Sequence, residues 1–136
     1  VYTAIRQKFY EGWIPVNYYD LIIRPRKDGR YGDISALRTM TNRILNTHAI
    51  PDVAYIIDGS LYSRDYKPLN QYDLYDTIFK DTDVVFYKQD DTCAGRGIEK
   101  LVRDNFKLSD ILCKPDGCFQ SRIIPHDFFK EINDCC

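Results

Sequence analysis

The residues of this chain whose types and spacing suit chemistry lie between Val84 and Val102. There an alternating run, Val84-Val-Phe-Tyr-Lys88, leads into Gln-Asp-Asp-Thr92-Cys-Ala-Gly95-Arg-Gly97 and then into a second apolar run, Ile98-Glu-Lys-Leu-Val102. A phosphate chain is held by cationic charge and by several backbone N–H groups that converge, and convergence needs a tight bend that a Cβ obstructs. Lys88 supplies the charge, and Gly95 and Gly97 permit the bend, so the stretch has the layout of a lid for phosphate. In a strand, Lys88 shares a face with Val84 and Phe86. We read that as the more apolar face, where a lysine is costly unless it meets an anion. The same residues also describe a plain hairpin with a glycine turn and an exposed lysine at the strand end, and short glycine motifs are common.

Other reactive side chains offer less. The five cysteines, Cys93, Cys113, Cys118, Cys135 and Cys136, are odd in number and irregular in spacing, so they read as free cytosolic thiols and the chain as cytoplasmic. No second cysteine pair and no nearby His pair completes a zinc set, and no metal ligands are expected. Cys93 is a possible nucleophile without a local base, and His48 and His126 are too far apart to suggest a dyad. Asp90-Asp91 and Asp81 with Asp83 read as turn and cap residues.

The elements that must position Lys88 follow from pattern. At 136 residues the chain is about one domain long, and 44% hydrophobic with 29% charged residues is ordinary for a globular protein. A net charge of −1 gives no pull toward nucleic acid or an anionic membrane, so neither is an expected partner. No apolar run is long enough to span a bilayer and no signal peptide opens the chain, so membrane insertion is not expected. The start at Val1 without Met suggests processing or a fragment. The abundant tyrosines read as a core edge with buried rings and wet hydroxyls.

Tyr2, Ile5 and Phe9 fall on one helical face ended by Gly12 and Pro15, and Tyr18 to Ile23 suits a strand or buried turn. Arg26 to Gly32 reads as an exposed basic turn, and Asp33 as the N-cap of a helix through about Asn46. Val53 to Ile57 is a strand signal broken by Asp58-Gly59, and Leu61 to Leu69 looks like an ordered loop. A helix from Asn70 through Phe79, the Val84 strand, the glycine loop, the Ile98 strand, a short helix over 108–112, a strand over 118–124 and a last helical turn at Phe128, Phe129 and Ile132 complete the order. This is a small α+β arrangement with the loop folding over one sheet face.

That order, with Tyr-Lys88 before the loop, Gly95-Arg-Gly97-Ile98 within it and Phe119-Gln120-Ser-Arg-Ile123-Ile124-Pro-His126 after it, resembles the ATP-grasp superfamily. Within it the chain is most similar to the ATP-grasp proteins associated with sugar transfer and polysaccharide clusters, where a segment like Ile57-Asp-Gly-Ser-Leu-Tyr62-Ser-Arg-Asp65-Tyr66-Lys-Pro68-Leu precedes the lysine strand. The resemblance is strongest from Ile57 to Ile132. It implies a partial ATP-grasp fold: a small mixed or antiparallel sheet with flanking helices and a glycine-containing flap, without the C-terminal metal-binding subdomain. An N-terminal α/β region over 1–69 would precede a small nucleotide-binding subdomain over 70–136.

The resemblance also implies roles. Lys88 contacts the ATP phosphates; Thr92, Cys93, Ala94, Gly95, Arg96 and Gly97 form the covering loop; Gln120 opens the adenine hinge, with Ser121 and Ile123 offering backbone groups; Asp127, with His126 as its rival, takes the ribose hydroxyls. Cys93-Ala94 stands where the family has small Gly or Ser residues. The magnesium ligands of the family lie in the C-terminal subdomain, so Mg2+ is expected only with that part and the chain reads as the front of a longer protein. The implied activity of the parent is ATP-dependent ligation of a carboxylate to an amine or similar nucleophile through an acyl phosphate, on a small-molecule or sugar-linked acceptor in cell-surface polysaccharide modification. The fragment alone is expected to be inactive. The alternative is a noncatalytic, degenerate nucleotide-binding or protein-interaction module.

Overall fold

Pro15, with φ at −58° and no N–H to offer, stands before the helical stretch that begins at Val16 in the computed structural model, which describes residues 7, 8 and 10–124. The chain divides into two units, Val1–Ala36 and Leu37–Cys136. In the first, α1 (Val16–Tyr18) runs through a π-helical turn (Tyr19–Ile23) into α2 (Arg24–Asp28), and α3 (Tyr31–Ile34) follows. Tyr18 to Ile23 is therefore helical and not a strand or buried turn, and none of its residues is buried. A short apolar run does not by itself distinguish the two states, and Pro15 in front with Gly29 (φ +54°) behind frames a helix. The wide turn precedes Pro25, whose ring would clash with the carbonyl four residues back in a regular helix.

Asp33 lies inside α3 instead of capping a helix to Asn46. Ser35 Oγ donates to Gly32 O at 2.6 Å, closing that turn, and Leu37 is extended (φ −85°, ψ 96°) before α4 (Arg38–Ile44) begins the second unit.

In that unit β1 (Asp52–Ile57) and β2 (Ser60–Ser63) form a hairpin across Asp58 and Gly59, whose φ values of 49° and 68° suit the twist of the strands. Leu61 to Leu69, expected as a loop, thus starts as a strand, and Leu69 N donates back to Leu61 O at 2.9 Å. Next come α5 (Leu74–Ile78), β3 (Val84–Gln89), β4 (Ile98–Val102), a 3-10 turn (Arg103–Asn105), α6 (Leu108–Leu112) and β5 (Gly117–Ser121). Asn70 does not cap α5; its side chain accepts from Tyr72 N in a preceding turn. The last strand stops at Ser121, opposite Val85, so Arg122, Ile123 and Ile124 lie beyond the pairing and are exposed.

The result is a mixed α+β fold on an open five-stranded sheet of order β2-β1-β5-β3-β4, antiparallel throughout. The sheet draws strands from both sides of residue 69. Its two faces differ. Ala54, Ile56, Val85, Tyr87 and Phe119 meet Leu74, Ile78 and Phe79 of the α5 region and Ile111 of α6 in the apolar core. The other face carries Asp52, Tyr55, Phe86, Lys88, Cys118 and Gln120, and α4 covers it with two polar residues, Thr39 and Asn42, buried. The tyrosines do not behave alike: Tyr55 and Tyr87 are buried with bonded hydroxyls, whereas Tyr31 and Tyr72 are exposed. No helix among the described residues is long and apolar enough to cross a membrane. The expected helical turns at Tyr2, Ile5 and Phe9 and at Phe128 to Ile132 involve positions outside the described residues.

Candidate functional site

Lys88 sits near the end of β3, with Ile98 opposite on β4 and Cys118 opposite on β5. The face it occupies is not the more apolar one: Val85 and Tyr87 fill the core, and Val84, Phe86 and Lys88 are half-buried on the polar side. Every residue from Val84 to Tyr87 is large and apolar, so alternation could not say which set points inward. Among the described residues Lys88 makes no salt bridge. A half-buried ammonium without a salt bridge among the described residues is suited to meet an anion.

The loop after it bends through left-handed backbone at Asp91, Ala94, Gly95 and Gly97. Gly97 is required twice over. Its φ is +66°, and a Cβ there would stand 2.9 Å from both Gln89 Cβ and Thr92 Cγ2. Gly97 O accepts from Gln89 N at 2.8 Å, which ties the two ends of the loop together. At the tip, Arg96 N donates to Cys93 O at 3.1 Å, while the N–H groups of Cys93, Ala94 and Gly95 donate to no acceptor among the described residues. Successive free N–H groups on a loop that follows a lysine-bearing strand are the kind of donors a phosphate group takes. Cys93 is exposed, and among the described residues the side-chain contact at its thiol is Arg96, whose Nη2 donates to Sγ at 3.3 Å.

Gln120 shares the Lys88 face, one diagonal step away on β5. It is 7% exposed, and its Nε2 donates to Asp52 Oδ1 at 2.6 Å. Ser121 and Ile123 lie toward the other end of β5 from the loop, because Gly117 pairs with Gln89 and Ser121 with Val85. The Ser121 N–H is already given to Pro51 O at 3.0 Å. Lys88, Gln120 and the base of the loop thus come together, Ser121 and Ile123 stand apart from them, and His126 and Asp127 lie outside the described residues.

Sequence reasoning missed the buried polar cluster that holds Gln120 on the Lys88 face. Asp52, fully buried, accepts from Gln120 Nε2, from Asn42 Nδ2 at 2.8 Å and from Tyr55 Oη at 3.1 Å. Burial pushes its carboxyl above the ordinary 3.8; the hydrogen bonds from Gln120 and Tyr55 and the fields of Lys88 and Arg64 pull the other way. Burial likewise pushes the Cys118 thiol up to about 12, leaving it unreactive at neutral pH. No local motif marks Asp52, whose partner Gln120 is 68 residues away.

A raised carboxyl pKa means that the fold prefers neutral Asp52. Its contribution is complete below the ordinary value and is lost as pH rises through the folded value. Asp52→Asn cannot ionise, so the stability of this variant relative to the parent is expected to increase as pH rises from about 3.5 toward 7. Urea unfolding of both proteins across that range checks this, and a constant difference would refute it.

Among the described residues no group of three or more His, Cys, Asp or Glu could hold a metal ion. Compared with known protein families, curated proteins and solved structures, the chain matches none of them.

Proposed function

We propose that this chain forms the lysine-and-loop half of an ATP site in an ATP-grasp ligase, one that joins a carboxylate to an amine or similar nucleophile in cell-surface polysaccharide or sugar modification. The observation that carries the reading is the half-buried Lys88, without a salt bridge among the described residues, at the foot of a loop whose Cys93, Ala94 and Gly95 N–H groups are unengaged. ATP supplies the phosphoryl group that activates the carboxylate. In this chain, Lys88 and the loop amides hold negative charge on the phosphates, as fixed donors that need no reorganisation. Gln120 contributes through its side-chain oxygen, since its nitrogen is committed to Asp52. Magnesium is assigned to residues outside this set, and the acceptor is a small molecule or sugar-linked group.

A second reading, a degenerate nucleotide-binding or protein-interaction module, is favoured by Ala94. It holds a φ of +54° where glycine would be unstrained, a poor choice for a loop that must close closely on phosphate. Thermal unfolding with millimolar ATP, with and without Mg2+, separates an ATP site from a protein-interaction module. A ligand that prefers the folded state must raise the midpoint. Protection by ATP supports the ATP site, and its absence in both conditions overturns it in favour of the interaction module.

A further inference from the structure

Two segments 51 residues apart lock onto each other where α4 begins. Arg38, the first residue of α4, turns its guanidinium onto the base of the glycine loop. Its Nη1 donates to Gln89 O and, at 2.8 Å, to Thr92 Oγ1; its Nη2 donates to Thr92 O at 2.6 Å. In return the buried Asp90 carboxylate accepts from Thr39 N at 3.1 Å and from Thr39 Oγ1 at 2.5 Å, so the loop caps the helix that holds it. Thr92 Oγ1 also donates to Gln89 O at 2.8 Å. The planar fork of arginine is pre-organised for such a cluster, and hydrogen bonds to ionised groups are the strong ones.

These bonds divide the loop. Gln89 to Thr92 is held by Arg38 and Asp90, whereas Cys93, Ala94, Gly95 and Arg96 are all exposed and, among the described residues, joined only by local bonds between Cys93 and Arg96. Arg38 also occupies two carbonyl oxygens, Gln89 O and Thr92 O, whose negative ends would repel an incoming phosphate.

We propose that Arg38 is a positioning residue for the phosphate site: it fixes Gln89 to Thr92, so that the moving part of the lid is the tip from Cys93 to Arg96 alone. This rests on the reading of Lys88 and the loop as an ATP site. The test compares the parent chain with Arg38→Ala and Arg38→Lys, measuring affinity for ATP and for adenosine and following amide hydrogen exchange at Asp91 and Thr92. Arg38→Ala is expected to lose about tenfold in ATP affinity, to keep its adenosine affinity, and to exchange faster at both amides. Arg38→Lys, which keeps the charge without the fork, is expected to recover part of each effect and serves as the comparison if the alanine variant does not fold. Unchanged ATP affinity, unchanged exchange, or equal loss of ATP and adenosine affinity overturns the positioning role. A parent chain that binds no ATP overturns the nucleotide reading and this role with it, whereas a parent that binds ATP as tightly as Arg38→Ala overturns this role alone.

Discussion

Replacing Gly117 by alanine is expected to lower the unfolding free energy by about 3 kcal/mol, the upper end for crowding a packed interior. A Cβ at this position would stand 2.5 Å from Lys88 O, 2.7 Å from Tyr87 Oη and 2.8 Å from Tyr87 Cζ. Neither neighbour is a loose end. Lys88 O belongs to the adjacent strand, and the Tyr87 ring is fixed by its hydroxyl donating to Pro115 O, by Phe119 at 5.4 Å between centroids and by Lys114 Nζ at 5.2 Å. Relief would require β5 to move from β3, which breaks the pairing of Gly117 with Gln89 at the foot of the loop. Urea unfolding measures the loss. A value under about 1 kcal/mol, that of an ordinary substitution, would show that Tyr87 yields and that the contact does not constrain the sheet.

Lys88→Ala is expected to weaken ATP binding about ten- to a hundredfold, the range for losing a hydrogen bond to a charged group. Stability should change little, because the ammonium is half-buried and makes no salt bridge among the described residues. One secondary effect has a definite sign. The Lys88 field lowers the Asp52 carboxyl, so without it burial raises that carboxyl further and stability falls over a wider span of pH. Titration with ATP, followed by the unfolding midpoint, decides the first point; unchanged affinity in Lys88→Ala would sink the assignment of Lys88 to phosphate.

Much of the second unit was legible where the signals were local. The glycine loop between β3 and β4, the strand ends at Val84 and Val102, and α6 over Leu108–Leu112 all follow from residue type and period. Asp58-Gly59 marked a turn, yet Leu61 to Ser63 was not recognised as the returning strand, because Ser60, Arg64, Asp65 and Pro68 surround it with loop-like residues. The face of Lys88 was misread for a different reason: both sides of β3 carry bulky apolar groups, and only the helices packed against Val85 and Tyr87 decide which side is core. The supporting cluster was out of reach altogether. Arg38, Thr39 and Asn42 look like an ordinary helical turn until the fold brings Asp90, Thr92 and Asp52 to them. The proposal of an ATP site came from resemblance, and titration with ATP tests it.

The sheet's unlike faces mean that the second unit carries two kinds of cooperativity. Detaching α5 and α6 uncovers apolar surface, the quantity that urea and heat capacity report. Detaching α4 breaks hydrogen bonds around Thr39, Asn42, Asp52 and Asp90 and uncovers a face where polar groups stand among Tyr55, Phe86 and Cys118. Such a sub-global opening is expected to depend less on denaturant than the apolar one and, because burial holds Asp52 toward its neutral form, to become easier as pH rises, so α4 and the loop it holds would form a foldon that rising pH can address while the apolar core stays closed.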